Sequence, residues 1–208
     1  MAQLNRKTFI AAAITGLLAA TGAQAQISDD VVRIGVMADQ TGPYSGNGGP
    51  GSTLAVRMAV EDAGGRVLGK PIEVIVADDQ NKPDVGTNIA RQWLEQQKVD
   101  TIVGGSISSI ALSVSNMMKA AKKPYLLAGS VSTDLTGKAC SPMSIQFGVD
   151  TYSMPKAGVR GLINQGAKTF FFITVEGAFG DTSLAAGKQF IEQSGASVIG
   201  NVKHTLGS

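Results

Sequence analysis

The sequence predicts an α/β fold: a parallel sheet with helices on both faces, followed by the start of a second α/β unit. From residue 31 onward, short apolar β-rich runs alternate with amphipathic helical stretches. Such alternation is typical of parallel sheets whose crossover helices cover both faces. Three polar, glycine-rich loops (38–51, 104–109 and 128–137) also follow predicted strands. Ligands of such sheets bind at the carboxyl ends of strands, so these loops mark the expected site.

The first unit, residues 26–148, is expected to contain four strands joined by three helices. Apolar and β-branched runs predict strands at VVRIGVM (31–37), IEVIVADD (72–79), DTIVGG (100–105) and PYLLAG (124–129). Helical periodicity predicts helices over 51–65, over 83–97 with a proline in the first turn, and from the serine loop to Lys122.

The pattern restarts after Asp150, in a second unit assigned to residues 149–208. A partly helical stretch (151–166) precedes a strand, TFFFITV (169–175), a helix (180–195) and a further strand (196–202). One βαβ unit cannot bury both faces of a sheet. We therefore expect the sequence to be a fragment that ends within a truncated second domain.

The N-terminus has the layout of a secretory signal peptide over residues 1–25. Arg6 and Lys7 precede an apolar run, and Ala23-Gln24-Ala25 matches a cleavage site. A membrane anchor or a buried first helix are the alternatives, but the apolar run is short for a bilayer span. The pattern predicts a mature chain that starts at Gln26 and is secreted.

Charge and cysteine content narrow the possible partners. The chain has 18 basic and 16 acidic side chains, and the signal peptide carries two of the basic ones. A neutral mature chain does not suggest nucleic acid or anionic membrane as a partner. The single cysteine, Cys140, cannot form an internal disulfide. It is either a free thiol, one half of a bond to an absent partner, or a small buried residue.

Signatures of enzymes are incomplete, and we predict no catalytic residue, metal or cofactor. Gly137-Lys138 is followed by alanine, so the phosphate-binding P-loop fails. The sequence around Ser106 lacks the second glycine of the elbow that carries the nucleophile in serine hydrolases. A catalytic triad also needs a histidine, and His204 is the only one in the sequence. The Asp78-Asp79 pair precedes a turn, which favours capping of the loop QNKPD over metal binding.

Hydroxyl groups and backbone amides remain as candidate ligand contacts. Ser108 and Ser109 fall where a helix should start, and its free N–H groups attract anions. Ser130 and Ser132 follow the next strand and can add donors. A carboxylate suits such a site because charge-assisted bonds to several N–H groups are strong. The alternative is that these serines only cap helices and turns.

Several motifs together resemble the substrate-binding proteins of ABC transporters, in the branched-chain amino acid (leucine-binding protein-like) group with the type I periplasmic binding fold. The resemblance covers the chain from about Val31 to its end. It rests on TGPYSGNGGPGSTLAVRMAVEDAGG, VADDQNKPDVGTNIARQWL, VGGSISSIAL and STDLTGKACSP followed by DTYS. It implies two α/β lobes that close over a small ligand.

The resemblance also implies which residues contact the ligand. It assigns the ligand carboxylate to the helix start and to the following strand end, and it places a covering loop at 44–48 and aromatic rings in the second lobe. The residues so implied are Ser108, Ser109, Gly129, Ser130, Ser132, Asn47, Tyr152 and Phe179. Where amino-acid binders of this group commonly have tyrosine, this chain has Phe179. Organic and aromatic acids therefore join amino acids as candidate ligands.

These features predict a periplasmic, monomeric solute-binding component of an ABC importer. It would capture a small carboxylate-bearing solute and deliver it to a membrane permease with its ATPase. A ligand sensor that reports to a receptor or regulator is the alternative on the same fold. A secreted hydrolase is a third, weaker reading.

Overall fold

The computed structural model describes residues 29–205, which form two α/β lobes. The first lobe contains a six-stranded sheet whose strands lie between Val32 and Gln146. The second lobe contains a two-stranded parallel sheet whose strands lie between Thr169 and His204. The predicted signal peptide lies outside the described residues. Between residues 29 and 205, no helix is both long enough and apolar enough to cross a membrane.

The sheet of the first lobe has the strand order β2-β3-β1-β4-β5-β6. Its strands are β1 (Val32–Ala38), β2 (Arg66–Val67), β3 (Lys70–Asp78), β4 (Thr101–Gly104), β5 (Tyr125–Leu127) and β6 (Ser144–Gln146). All neighbours are parallel except β2, which pairs antiparallel with β3. The chain moves outward from β1 in both directions, so β1 and β4 lie in the centre, where the loops at their carboxyl ends adjoin.

Three helices and one short 3₁₀ helix complete the first lobe. They are α1 (Ser45–Asp62), α2 (Pro83–Glu95), α3 (Ser108–Ala121) and the 3₁₀ turn Thr133–Leu135. The buried core lies between the central strands and helices α2 and α3, and includes Trp93, Ile102, Ile110, Val114, Met118, Tyr125 and Leu127. Burial of these side chains fixes α3, and with it the position of the serines in its first turn.

The second lobe alternates α4 (Ser153–Asn164), β7 (Thr169–Val175), α5 (Ala178–Gln193) and β8 (Ser197–His204). Its core joins Val159, Phe190 and Ile191 to the partly buried side chains on one face of the sheet. The opposite face carries Ile173 with 73% of its surface exposed. Period-two alternation along β7 produces these two different faces.

The structure corrects three sequence-based expectations. Strands β2 and β6 are two and three residues long, too short to give a periodic signal. Helix α1 begins at Ser45 instead of residue 51, so the predicted glycine-rich loop 38–51 is half helical. Its glycines and Pro50 disfavour helix in isolation, but packing onto the end of β1 overrides that propensity. Cys140 is exposed, so its interpretation as a buried residue is wrong.

Candidate ligand-binding site

A cleft of about 570 Å³ lies between the two lobes, at the carboxyl ends of their strands. The first lobe contributes the segments that follow β1, β3, β4 and β5. The segment that follows β7 lines the other side, together with Val149, Met154 and Thr205. The sequence analysis expected the polar loops to meet at this edge, and the structure brings them together there.

The N-terminus of α3 forms one wall of the cleft. Its N-cap, Ile107, is extended and has no side chain that could accept from the first-turn amides. The first helical bond runs from the N–H of Ala111 to the carbonyl of Ile107, 3.0 Å apart. The amides before Ala111 therefore lack intrahelical acceptors, and Ser108 and Ser109 line the cleft beside them.

Ser130 and Gly129 reach the same wall from the segment after β5. The hydroxyl of Ser130 donates to the hydroxyl of Ser108 over 3.3 Å, and both side chains are buried. This pair links the end of β5 to the first turn of α3. Ser109 remains half-buried and lines the cleft without a hydroxyl partner of this kind.

Helix α5 presents its N-terminus from the second lobe. Its N-cap is Gly177, whose φ of 101° lies in the left-handed region that favours glycine. Gly180, in the first turn, packs so closely on the end of β7 that a Cβ there would overlap the carbonyl oxygen of Val175. The glycine thus lets the helix sit directly on the strand end, with Phe179 lining the cleft.

Helix α1 supplies a third N-terminus, and the same device holds it. A Cβ on Gly49 would overlap the backbone carbonyl oxygen of Asp39. Asn47 and Gly48, which the sequence analysis placed in a covering loop, lie in the first turn of this helix and line the cleft. Three helix N-termini therefore face one cavity, and each carries partial positive charge.

The cleft wall is largely apolar and poor in charge. Among the described lining residues, Glu176 is the only charged side chain, and no lysine, arginine or histidine is present. Its carboxylate accepts from the hydroxyl of Thr205 over 3.4 Å. The sequence analysis missed Glu176 because a lone acid after a strand has no motif. Anion binding here would depend on amides and hydroxyls, and Glu176 would disfavour a second negative charge nearby.

Two predicted site residues lie elsewhere. Ser132 is buried, and its hydroxyl accepts from the N–H of Asp134, which caps the 3₁₀ turn. Tyr152 packs edge-on against Phe190 with ring centroids 4.9 Å apart, on a separate groove between the lobes. Neither residue lines the cleft, so Ser132 fits the capping alternative. His204 is exposed at the end of β8 and does not line the cleft either.

The crossing between the lobes is tied to the first lobe at Thr151. Its N–H donates to the carbonyl of Val131 over 2.8 Å, and its hydroxyl accepts from the N–H of Thr133 over 3.0 Å. Thr151 is fully buried. The chain is therefore fixed to the first lobe as far as Thr151, just before α4 begins.

The Asp78-Asp79 pair caps the turn after β3, the role that its sequence position favours. Burial opposes ionisation of Asp78, but bonds from Thr41 and from two backbone amides hold the pKa of its carboxyl below the usual value. Asp79 is fully buried, and desolvation raises its pKa. The hydroxyl of Ser106 donates to Asp79 over 3.0 Å and counteracts part of that rise.

Comparison with known proteins identifies the family. The sequence profile of periplasmic binding proteins matches residues 31–208. None of the curated proteins compared matches the chain. A periplasmic binding protein from Burkholderia mallei is similar in structure, with 37% identity and a TM-score of 0.83 over 86% of this chain and 48% of its own. A branched chain amino acid ABC transporter periplasmic ligand-binding protein from Burkholderia xenovorans LB400 has 32% identity and a TM-score of 0.71, over 85% of this chain and 47% of its own.

A more distant structure shares the fold. It is a solute binding protein of an ABC transporter from Rhodopseudomonas palustris BisB5 in complex with 3,4-dihydroxy benzoic acid, with 24% identity and a TM-score of 0.75, over 86% of this chain and 48% of its own. The chain thus spans about half the length of the solved structures that it matches. Its α/β lobes have the type I periplasmic binding architecture, and the chain belongs to the periplasmic binding protein family.

Proposed function

We propose that this protein is the periplasmic solute-binding component of an ABC importer and that it captures a small monocarboxylate between its lobes. The convergence of three helix N-termini on a cleft without basic side chains carries this proposal. The ligand carboxylate binds at the first turn of α3, where free amides and the hydroxyls of Ser108 and Ser109 are donors. Ser130 and the backbone of Gly129 complete this half of the site.

The rest of the cleft suits the apolar part of the ligand. Phe179, Met154 and Val149 offer apolar surface, and Glu176 disfavours a second carboxylate. An amino acid, an aliphatic acid and an aromatic acid all satisfy these conditions. The Burkholderia xenovorans relative is described as a branched chain amino acid transport protein, which supports testing amino acids first.

Thermal unfolding with matched ligand pairs tests this function. The pairs are L-leucine with L-leucinamide and benzoate with benzamide, in which the amide keeps the shape but loses the charge. At a ligand concentration of about 100 times Kd, binding stabilises the native state by about 2.7 kcal/mol, which raises Tm by about 5–10 °C. We expect a rise with at least one acid and none with its amide. Equal shifts for both members of a pair would contradict carboxylate recognition.

Secretion has its own test. Mass spectrometry of the protein recovered from a periplasmic fraction is expected to give a mature N-terminus at Gln26. Recovery of the chain with residues 1–25 intact in the cytoplasm would contradict the periplasmic proposal.

The importer is tested by co-purification with a membrane permease and its ATPase. Static light scattering of the purified protein is expected to give a monomer.

A further inference from the structure

Ser106 lines the cleft and sits at the centre of a cluster of hydrogen bonds in its wall. Its hydroxyl accepts from the backbone N–H of Asp39 over 2.8 Å and donates to the carboxylate of Asp79 over 3.0 Å. Ser106 lies in the segment between β4 and α3, two residues before Ser108. One hydroxyl therefore joins the ends of β1, β3 and β4.

The two carboxylates in this cluster each hold a loop. Asp39 is buried and accepts from the N–H groups of Gly42 and Tyr44 over 2.7 and 2.8 Å, just before α1 starts. Asp79 accepts from the N–H of Asn81 over 3.0 Å. The side-chain amide of Asn81 donates to Asp39 and closes the ring between the two acids. Asp39 and Asp79 thus set where the segments before α1 and α2 lie.

We propose that Ser106 and Asp79 are positioning residues that hold the first turn of α3 in register with the starts of α1 and α2, so that its free amides stay directed into the cleft. The role of these residues in ligand binding rests on the proposed function, but the hydrogen bonds themselves are present without ligand. Ser106, which lacks the sequence surroundings of a hydrolase nucleophile, thus has a positioning role in ligand binding.

The geometry favours Ser106 over its neighbours for this task. Ser108 connects the helix start only to the end of β5, whereas Ser106 connects it to the ends of both β1 and β3. An alanine at position 106 would leave the buried N–H of Asp39 without its acceptor and the carboxylate of Asp79 without one donor. Unpaired buried polar groups are costly, so the segment would relax toward other partners.

Hydrogen–deuterium exchange of the unliganded protein tests the proposal. The reporter amides are those of Gly105 and Ala111, which are bonded to the carbonyls of Met37 and Ile107. Ser106→Ala is expected to raise exchange in the peptide spanning 104–112 at least fivefold. Ser106→Thr keeps the hydroxyl and is expected to restore rates within twofold of wild type. Asp79→Asn keeps the side-chain volume and is expected to accelerate the same peptide.

Ser115→Ala is the matched control. Its buried hydroxyl lies in the same helix, about two turns after Ser108, and bonds to the hydroxyl of Ser144 over 2.7 Å. Ser115 does not line the cleft. It is expected to leave exchange of 104–112 unchanged. The proposal fails if Ser106→Ala stays within twofold of wild type, if Ser115→Ala has the same effect, or if all of the first lobe accelerates equally. Because no ligand is present, absence of carboxylate binding would refute the proposed function and leave these exchange rates unaffected.

Discussion

Gly35 is a core position at which an added side chain would meet a buried aromatic ring. It is buried in the central strand β1, and a Cβ there would lie 2.5 Å from both Cε3 and Cζ3 of Trp93. Ordinary van der Waals contact begins at 3.4 Å, so the indole of Trp93 would have to move by 0.9 Å (3.4 − 2.5). The ring is almost fully buried among core side chains and has little room to do so.

We therefore expect Gly35→Ala to lower the free energy of unfolding by about 2–3 kcal/mol, the upper part of the range for overpacked cores. Gly51→Ala is the control because Gly51 is exposed in α1 and a Cβ there meets nothing within 4 Å. That substitution is expected to stabilise the protein by up to about 1 kcal/mol through helix propensity.

Urea unfolding followed by the fluorescence of Trp93 measures both variants, since this is the chain's only tryptophan. With a slope of about 2 kcal/mol/M, the midpoint of Gly35→Ala should fall by about 1 M. Its native emission should also shift because the displaced indole changes surroundings. A midpoint equal to that of wild type, with unchanged emission, would refute the reasoning.

Three further predictions concern Asp150 before α4, the serines of the cleft and the buried hydroxyl of Tyr125. The carboxylate of Asp150 accepts from the N–H of Ser153 over 2.7 Å, and this bond above all lowers its pKa. Asp150→Ala should cost about 1 kcal/mol near neutral pH. In urea unfolding at a series of pH values, the difference should shrink below pH 3.8, the ordinary pKa of the carboxyl, and vanish once the pH falls below its lowered native pKa. Replacing Ser108 and Ser109 together by alanine should weaken carboxylate binding by about 1–3 kcal/mol in calorimetry, and unchanged affinity would contradict the site. Tyr125→Phe should raise stability by about 1 kcal/mol in urea, because the buried hydroxyl has no bonded partner among residues 29–205; a loss would show that a bound water serves it.

The sequence predicted those elements whose local pattern and tertiary packing agree. TFFFITV has the same bounds in prediction and structure, because its aromatic and β-branched residues prefer a strand and also face a core. The start of α1 was missed because close packing on Asp39, which only the fold reveals, decides it. The first turn of α3 was found because its serines follow a short apolar strand. Glu176 lines the cleft, and Tyr152 turns away from it to make an edge-on contact with Phe190; both placements depend on tertiary packing, which no local pattern records.

The proposed binding of a carboxylate by backbone amides has an evolutionary consequence. Main-chain donors at a helix start are the same whatever side chains surround them, so the anion-holding half of the site survives most substitutions. Changes at a few apolar wall positions, such as Phe179, can then alter which ligand body fits without rebuilding the contact that anchors it. Under the proposed function, a lineage built on this chain would exchange one carboxylate ligand for another in single mutational steps.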